Sequence, residues 1–191
     1  MKKLLFALAG TALVAGLYSF TSVNSTKDVV SYTVNAEKSR VDWVGSKKND
    51  YHTGYFVVKS GSLQVDGGKL KGGEFVIDLA NLKVTDPGGG DRLTGHLKTA
   101  DFFDVAKFGE ATYKITNVNY TSENNAVISG VLNLKGASVP VTFNASVRGA
   151  DDKGFFGEAF FSLDRTLFGI NYGIGNVAKE VQIAVHLFAT K

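Results

Sequence analysis

At 191 residues, with 44% hydrophobic side chains, 22 glycines and only two prolines, the chain is long enough to bury one core and short for two. It has no cysteine, which excludes a disulfide frame, a lipoprotein thioether and any thiolate chemistry. Its 21 basic and 18 acidic residues give a net +3 and are dispersed, unlike the clustered footprint of a nucleic-acid binder, so no nucleic-acid partner is expected.

The N-terminus has the layout of a secretory signal. Lys2 and Lys3 form a positive start, Leu4 to Phe20 is apolar with small residues mixed in, and a Ser/Thr/Asn stretch follows. Residues 1–25 are read as the signal peptide, with Val23 and Ser25 at the small-residue sites before the cut. A membrane anchor is the rival, but a run of about 17 apolar residues is at the short edge of what spans a bilayer. Loss of Lys2 and Lys3 leaves 19 basic against 18 acidic residues, a net of +1, on a mature domain of residues 26–191.

From Val30 onward the dominant period is two, the mark of strands with one buried face. Rough strands are expected over Tyr32 to Ser46 and Tyr55 to Val65. Turns are expected at Asp66-Gly67-Gly68 and Lys71-Gly72-Gly73, where glycine accepts positive φ. Phe75, Ile77 and Leu79 then face one way and Glu74 and Asp78 the other. Asp86-Pro87-Gly88-Gly89-Gly90 stops that strand near Val84. A short helical segment follows near residues 91–104, with Asp91 or Thr94 as cap and Leu93, Leu97 and Ala100 on one side. Thr99 is expected to cap a tighter turn that carries Phe102 and Phe103. This segment is read as a plug for one end of the fold or a gate to its interior.

The alternation resumes over Thr112 to Tyr120 and, after Glu123-Asn124-Asn125, over Ala126 to Leu134. It is cleanest in Val139, Val141, Phe143, Ala145 and Val147, whose interleaved neighbours are Pro140, Thr142, Asn144, Ser146 and Arg148. Asp151-Asp152-Lys153-Gly154 turns the chain into Phe155 to Asp164, and Val181, Ile183, Val185 and Leu187 repeat the pattern at the C-terminus. The reading is all-β, with roughly eight strands whose short turns imply antiparallel neighbours. A single eight-stranded up-and-down barrel buries the oily face and removes the sheet edges; a two-sheet sandwich is the alternative.

Motifs that carry chemistry are sparse. His52, His96 and His186 share no short motif, so no metal site is expected. His52 is placed in a polar turn before Thr53-Gly54, and His186 on the outward phase of the last strand beside Gln182. There is no nucleophile elbow, Gly88-Gly89-Gly90 lacks the Lys-Ser/Thr of a phosphate loop, and Asp151-Asp152 belongs to a turn. No catalytic residue and no cofactor is assigned. Aromatic residues, by contrast, are abundant: 14 Phe, 7 Tyr and one Trp. Pattern alone leaves open whether they fill the interior or line it.

Three segments carry a family resemblance: GHLKTADFFDVAKF from Gly95 to Phe108 with Glu110 to Tyr113 after it; the hairpin-like Gly130 to Val141; and Asp164-Arg165-Thr166-Leu167-Phe168-Gly169-Ile170, a basic residue shortly before Phe-Gly-Ile. Over roughly Val30 to Lys191 the chain resembles the YceI-like family of periplasmic lipid-binding, lipocalin-like β-barrels. The resemblance implies an apolar tunnel that takes an isoprenoid, quinone-like or fatty-acyl chain in the periplasm. Two departures stand out. The family's His near the end of its first long strand is replaced by Ser46-Lys47, and its Arg-Asp pair before His-Leu by Leu93-Thr94, with Arg92 one position earlier.

The expected tunnel walls are Trp43, Phe75, Ile77, Tyr113, Ile115, Leu132, Val141, Phe143, Phe161 and Ile183, with Arg92, His96 and Lys98 at the mouth. The leading reading is a non-catalytic carrier. Its rivals are an enzyme that uses His96 with a carboxylate such as Asp101, and a structural module whose barrel is filled by its own side chains. Phe156 and Phe160, on the outward phase beside Glu158, are expected either to pack under the Gly169 to Val177 loop or to form a patch for a membrane surface or a homodimer partner.

Overall fold

The computed structural model describes residues 29–191, so the signal-peptide reading of residues 1–25 lies outside the described residues. Nine strands form one sheet: β1 (Val30–Val34), β2 (Arg40–Lys47), β3 (Asp50–Asp66), β4 (Lys69–Val84), β5 (Glu110–Tyr120), β6 (Asn125–Leu134), β7 (Ala137–Asp151), β8 (Gly154–Asp164) and β9 (Val177–Thr190). All paired strands are antiparallel. From β2 to β9 each strand pairs with its sequence neighbour, and β9 closes the sheet on β2. The result is a closed eight-stranded up-and-down barrel.

The ninth strand does not widen it. β1 and β2 share one barrel position, since both pair with β3 and with β9. Residues 35–39 interrupt that position. Ser39 covers the interruption: its buried Oγ donates to Phe188 O at 3.1 Å and accepts from Phe188 N–H at 2.9 Å, so β9 keeps its hydrogen bonds where its neighbour breaks.

The two ends differ. At one end lie the tight turns at 67–68, 121–124 and 152–153, and there the barrel is packed with Tyr32, Leu63, Val65, Leu70, Phe155 and Leu187. At the other end the strands leave longer connections: α1 (Gly90–Leu97) with the turns after it, a 3-10 turn (Arg165–Phe168), and the loop that leads into β9. Phe103 packs edge-on against Phe56 of β3 at 5.4 Å, and Lys135 Nζ reaches Ala100 O at 2.8 Å, so the helical segment is tied across this end.

Several local expectations are corrected. Lys71-Gly72-Gly73 is no turn but lies inside β4, which crosses closely over β3: a Cβ on Gly73 would press on Ser62 O and the Leu63 side chain. α1 starts at Gly90, earlier than an Asp91 or Thr94 cap allows. Gly89 is its N-cap without a side-chain bond, Asp91 lies in the first turn, and Thr94 Oγ1 donates back to Gly90 O at 3.0 Å. Leu97 is buried and Leu93 half-buried, but Ala100 is exposed. Thr99 Oγ1 donates to His96 O rather than capping forward. His52 is not in a turn. It sits in β3 opposite Gly45. Phe156 and Phe160 do not pack under the Gly169 to Val177 loop: Phe156 stacks on Phe188 at 4.3 Å, while Phe160 stays exposed, edge-on to His186. Among the described residues no helix is long and apolar enough to cross a membrane.

Candidate functional site

Strand alternation aims every second side chain of β2 to β9 into the barrel, and in the half nearer α1 these side chains do not meet. They enclose a cavity of about 170 Å³ whose wall presents no polar atom. Trp43, Phe75, Ile77, Tyr113, Leu132, Val141, Phe143, Phe161 and Ile183 line it, nine of the ten expected wall residues. Ile115 does not. It lines a separate gap of about 40 Å³ in the packed half.

The floor between the halves is aromatic. Phe75 meets Tyr113 at 5.7 Å, Tyr113 meets Phe143 at 5.5 Å, and Phe143 stacks on Phe161 at 4.5 Å. Tyr113 Oη donates to Val141 O at 2.9 Å, which satisfies the one polar atom of this floor, and burial pushes its phenol pKa up. The ring has room because residue 130 is glycine: a Cβ there would press on the Tyr113 phenol and on Lys114 O. Gly54 does the same for Trp43, since a Cβ at that position would overlap Lys83 O and the indole.

Toward α1 the cavity meets an outer cleft of about 680 Å³ that shares Trp43, Gly45, Leu97, Phe102 and Val177 with it. Here the walls turn polar. Arg92 and His96 both line the cleft, together with Ser46, Lys47, Asp50, His52, Tyr172 and Asn176. Lys98 lines neither space; at the C-terminal end of α1 its backbone N–H donates to Gly95 O at 3.2 Å, and the Thr99 N–H donates to His96 O at 3.0 Å. His52 Nδ1 lies 2.9 Å from Asp86 Oδ2, and Thr53 N–H donates to Asp86 Oδ1 at 2.9 Å. The His52 contact, then the Thr53 amide, hold Asp86 below the usual carboxylate range. Lys47 lies 3.0 Å from Asp50 and lowers that carboxyl too.

His96 ties α1 to its surroundings. Nε2 is 2.9 Å from Asp101 Oδ2, and the ring meets Phe102 at 5.1 Å and Tyr172 at 4.7 Å, both edge-on. His96 lines the outer cleft, and neither residue of the pair lines the apolar cavity. His186 bridges two carboxylates on the outer wall, Asp42 at 3.8 Å and Glu158 at 3.6 Å. Among the described residues no three His, Asp or Glu side chains converge to hold a metal ion.

The residue that sequence reasoning named only as part of a signature is Arg165. Its side chain is buried, lines the cavity, and donates to Ile170 O at 2.6 Å, Ala178 O at 2.8 Å, Tyr172 O at 2.8 Å and Val177 O at 3.2 Å. One guanidinium therefore shapes the whole loop beside the mouth. Burial works against its charge and lowers its pKa. The basic residue before Phe-Gly-Ile was the available signal, but the carbonyls of Ile170 and Tyr172 in the following loop and of Val177 and Ala178 in β9 are invisible to a local pattern. Phe56, Leu97, Phe102 and Phe103 were also missed as cavity walls.

The pattern of the YceI-like domain matches residues 32–189. A UPF0312 protein of Pseudomonas fluorescens (strain SBW25) is 30% identical over 200 residues, covering 100% of this chain and 98% of that protein. One from Shewanella baltica (strain OS155 / ATCC BAA-1091) is 29% identical over 189 residues, 95% of this chain and 94% of the other. Among solved structures, BcnA of Burkholderia cenocepacia superposes with a TM-score of 0.70 at 25% identity, over 82% of this chain and 99% of that one. A polyisoprenoid binding domain from Saccharophagus degradans, implicated in plant cell wall breakdown, superposes with a TM-score of 0.65 at 17% identity, over 83% and 97%.

Proposed function

As the chain belongs to the YceI-like family, we propose that it is a periplasmic carrier that sequesters one long apolar molecule, with a polyisoprenoid, quinone-like or fatty-acyl chain. The observation that carries this is the cavity whose wall presents no polar atom, separated by shared residues such as Leu97 and Phe102 from a cleft edged with polar groups. Such a space suits a hydrocarbon tail below and a polar end above. Burying each methylene gains about 0.8 kcal/mol, so retention needs no catalysis. Size supports a division of labour. An apolar cavity of roughly 150 Å³ takes one benzene, so the deep space of about 170 Å³ holds only the end of a chain and the cleft carries the rest.

The polyisoprenoid-binding neighbour supports the ligand class, and the signal-like N-terminus supports the compartment. Organic extraction of protein purified from its native host, followed by mass spectrometry, is expected to return one prenyl or acyl species in roughly stoichiometric amount. A clean extract, with no uptake of added prenyl or acyl chains, overturns the reading.

One observation favours a second reading, an enzyme acting on the bound lipid: the contact of His96 with Asp101 at 2.9 Å. Turnover of bound lipid that disappears in His96→Ala would establish it, and unchanged ligand after long incubation removes it.

A further inference from the structure

The segment from Leu167 to Asn176, LFGINYGIGN, contains no charged residue. Three of its large side chains stand in solvent: Leu167 is 56%, Tyr172 45% and Ile174 57% exposed. With Tyr51 they make four of the seven large hydrophobic side chains exposed among the described residues. All four belong to the end of the barrel where the cleft opens. Lys48 N–H donates to Asn176 O at 3.0 Å, which joins the β2–β3 hairpin, carrying Tyr51, to the loop. Tyr172 and Asn176 themselves line the cleft. The loop is held in shape from beneath, since Arg165 binds the carbonyls of Ile170, Tyr172 and Val177. Apolar side chains kept outward on a braced, uncharged loop are a poor surface for water.

Charge at the same rim has a sign. The charged residues that line the cleft are Lys47, Asp50 and Arg92, a net of +1, with Lys48 next to Lys47 in the chain. We propose that this rim docks the barrel, mouth down, on a lipid surface: Leu167 and Ile174 enter the acyl boundary, while Lys47, Lys48 and Arg92 meet anionic head groups. The inference rests on the carrier reading, because a water-insoluble cargo has to leave and enter a membrane. A second copy of this chain fits the rim less well. A stable protein interface buries roughly 800 Å² on each partner, far more than four projecting side chains around an open mouth supply. A few apolar tips with flanking cations are enough for interfacial binding.

The test is flotation of the full mature protein with vesicles of phosphatidylethanolamine and phosphatidylglycerol, beside uptake of a prenyl alcohol from detergent. The wild-type protein is expected to float, less so as salt rises. Leu167→Ser with Ile174→Ser is expected to lower the vesicle-bound fraction at least about tenfold with uptake unchanged, since neither residue lines the cavity. Ile174→Trp supplies an independent signal, because the chain has one other tryptophan, Trp43, and it is buried. The emission of the introduced indole is expected to shift to the blue when vesicles are added. A wild-type protein that takes up prenyl alcohol but does not float overturns docking alone, and one that floats without uptake overturns the carrier reading alone. A double variant that floats like the wild type, an Ile174→Trp emission that vesicles do not move, or one that shifts with protein concentration before vesicles are present also overturns docking.

Discussion

Arg165 shows how much one side chain decides here. Its guanidinium meets four carbonyls and no carboxylate, so its value is geometric: planar, multiply donating, and always charged. Arg165→Met keeps the apolar stem and removes every donor. Leaving several buried carbonyls unpaired is expected to cost roughly 3 kcal/mol or more, read as a lower urea midpoint, with faster amide exchange at residues 170–178. Arg165→Lys is expected to restore only part, because an ammonium cannot span four separated acceptors. Stability within about 0.5 kcal/mol of wild type in Arg165→Met would refute this account, since that is the range of an ordinary surface change. The glycines under the large rings are a second residue-scale lesson. Trp43 and Tyr113 were legible as inward aromatics, but their dependence on Gly54 and Gly130 was not, because it is set by partners on neighbouring strands.

Among the elements, alternation located eight strands and missed what happens within the first. Tyr32 to Ser46 reads as one strand because apolar residues continue on both sides of residues 35–39, and the barrel does treat it as one position. The break becomes visible only where β9 needs a partner for Phe188. Ser39→Ala removes both side-chain bonds and is expected to destabilise by about 1–3 kcal/mol, with Phe188 exchanging its amide proton markedly faster; unchanged protection there would show that the interruption is supported otherwise. The Lys71-Gly72-Gly73 misreading has a related cause. Paired glycines signal a turn locally, yet in β4 they serve close strand crossing. At α1 the segment was legible and its cap was not, because glycine at positions 88–90 begins the helix without any side-chain bond to announce it.

Across the whole molecule the open question was whether the aromatic interior is filled or lined, and the barrel does both: packed beyond the Phe75, Tyr113 and Phe143 floor, open toward α1. That division yields a test. Val141→Phe places a ring in the cavity of about 170 Å³. It is expected to leave thermal stability unchanged or raised while cutting prenyl or acyl uptake severalfold. A destabilisation of about 1–3 kcal/mol, the usual consequence of overpacking, with uptake intact would instead mean that the space at Val141 is already full.

The amino-acid sequence by itself determined the class of this protein. A period of two and short polar turns give antiparallel strands with one oily face. The family resemblance turns these into a closed barrel with a lined interior rather than a sandwich or a filled core, and strand phase then names the inward side chains, nine of which line the cavity. Strand phase is a local property, so it can be read locally. Only the tertiary structure decided where the interior stays open, that His52 meets Asp86, and that Arg165 braces the loop at the mouth. Those facts depend on which strands lie opposite and on how far apart their side chains end, distances that arise only when the barrel has closed.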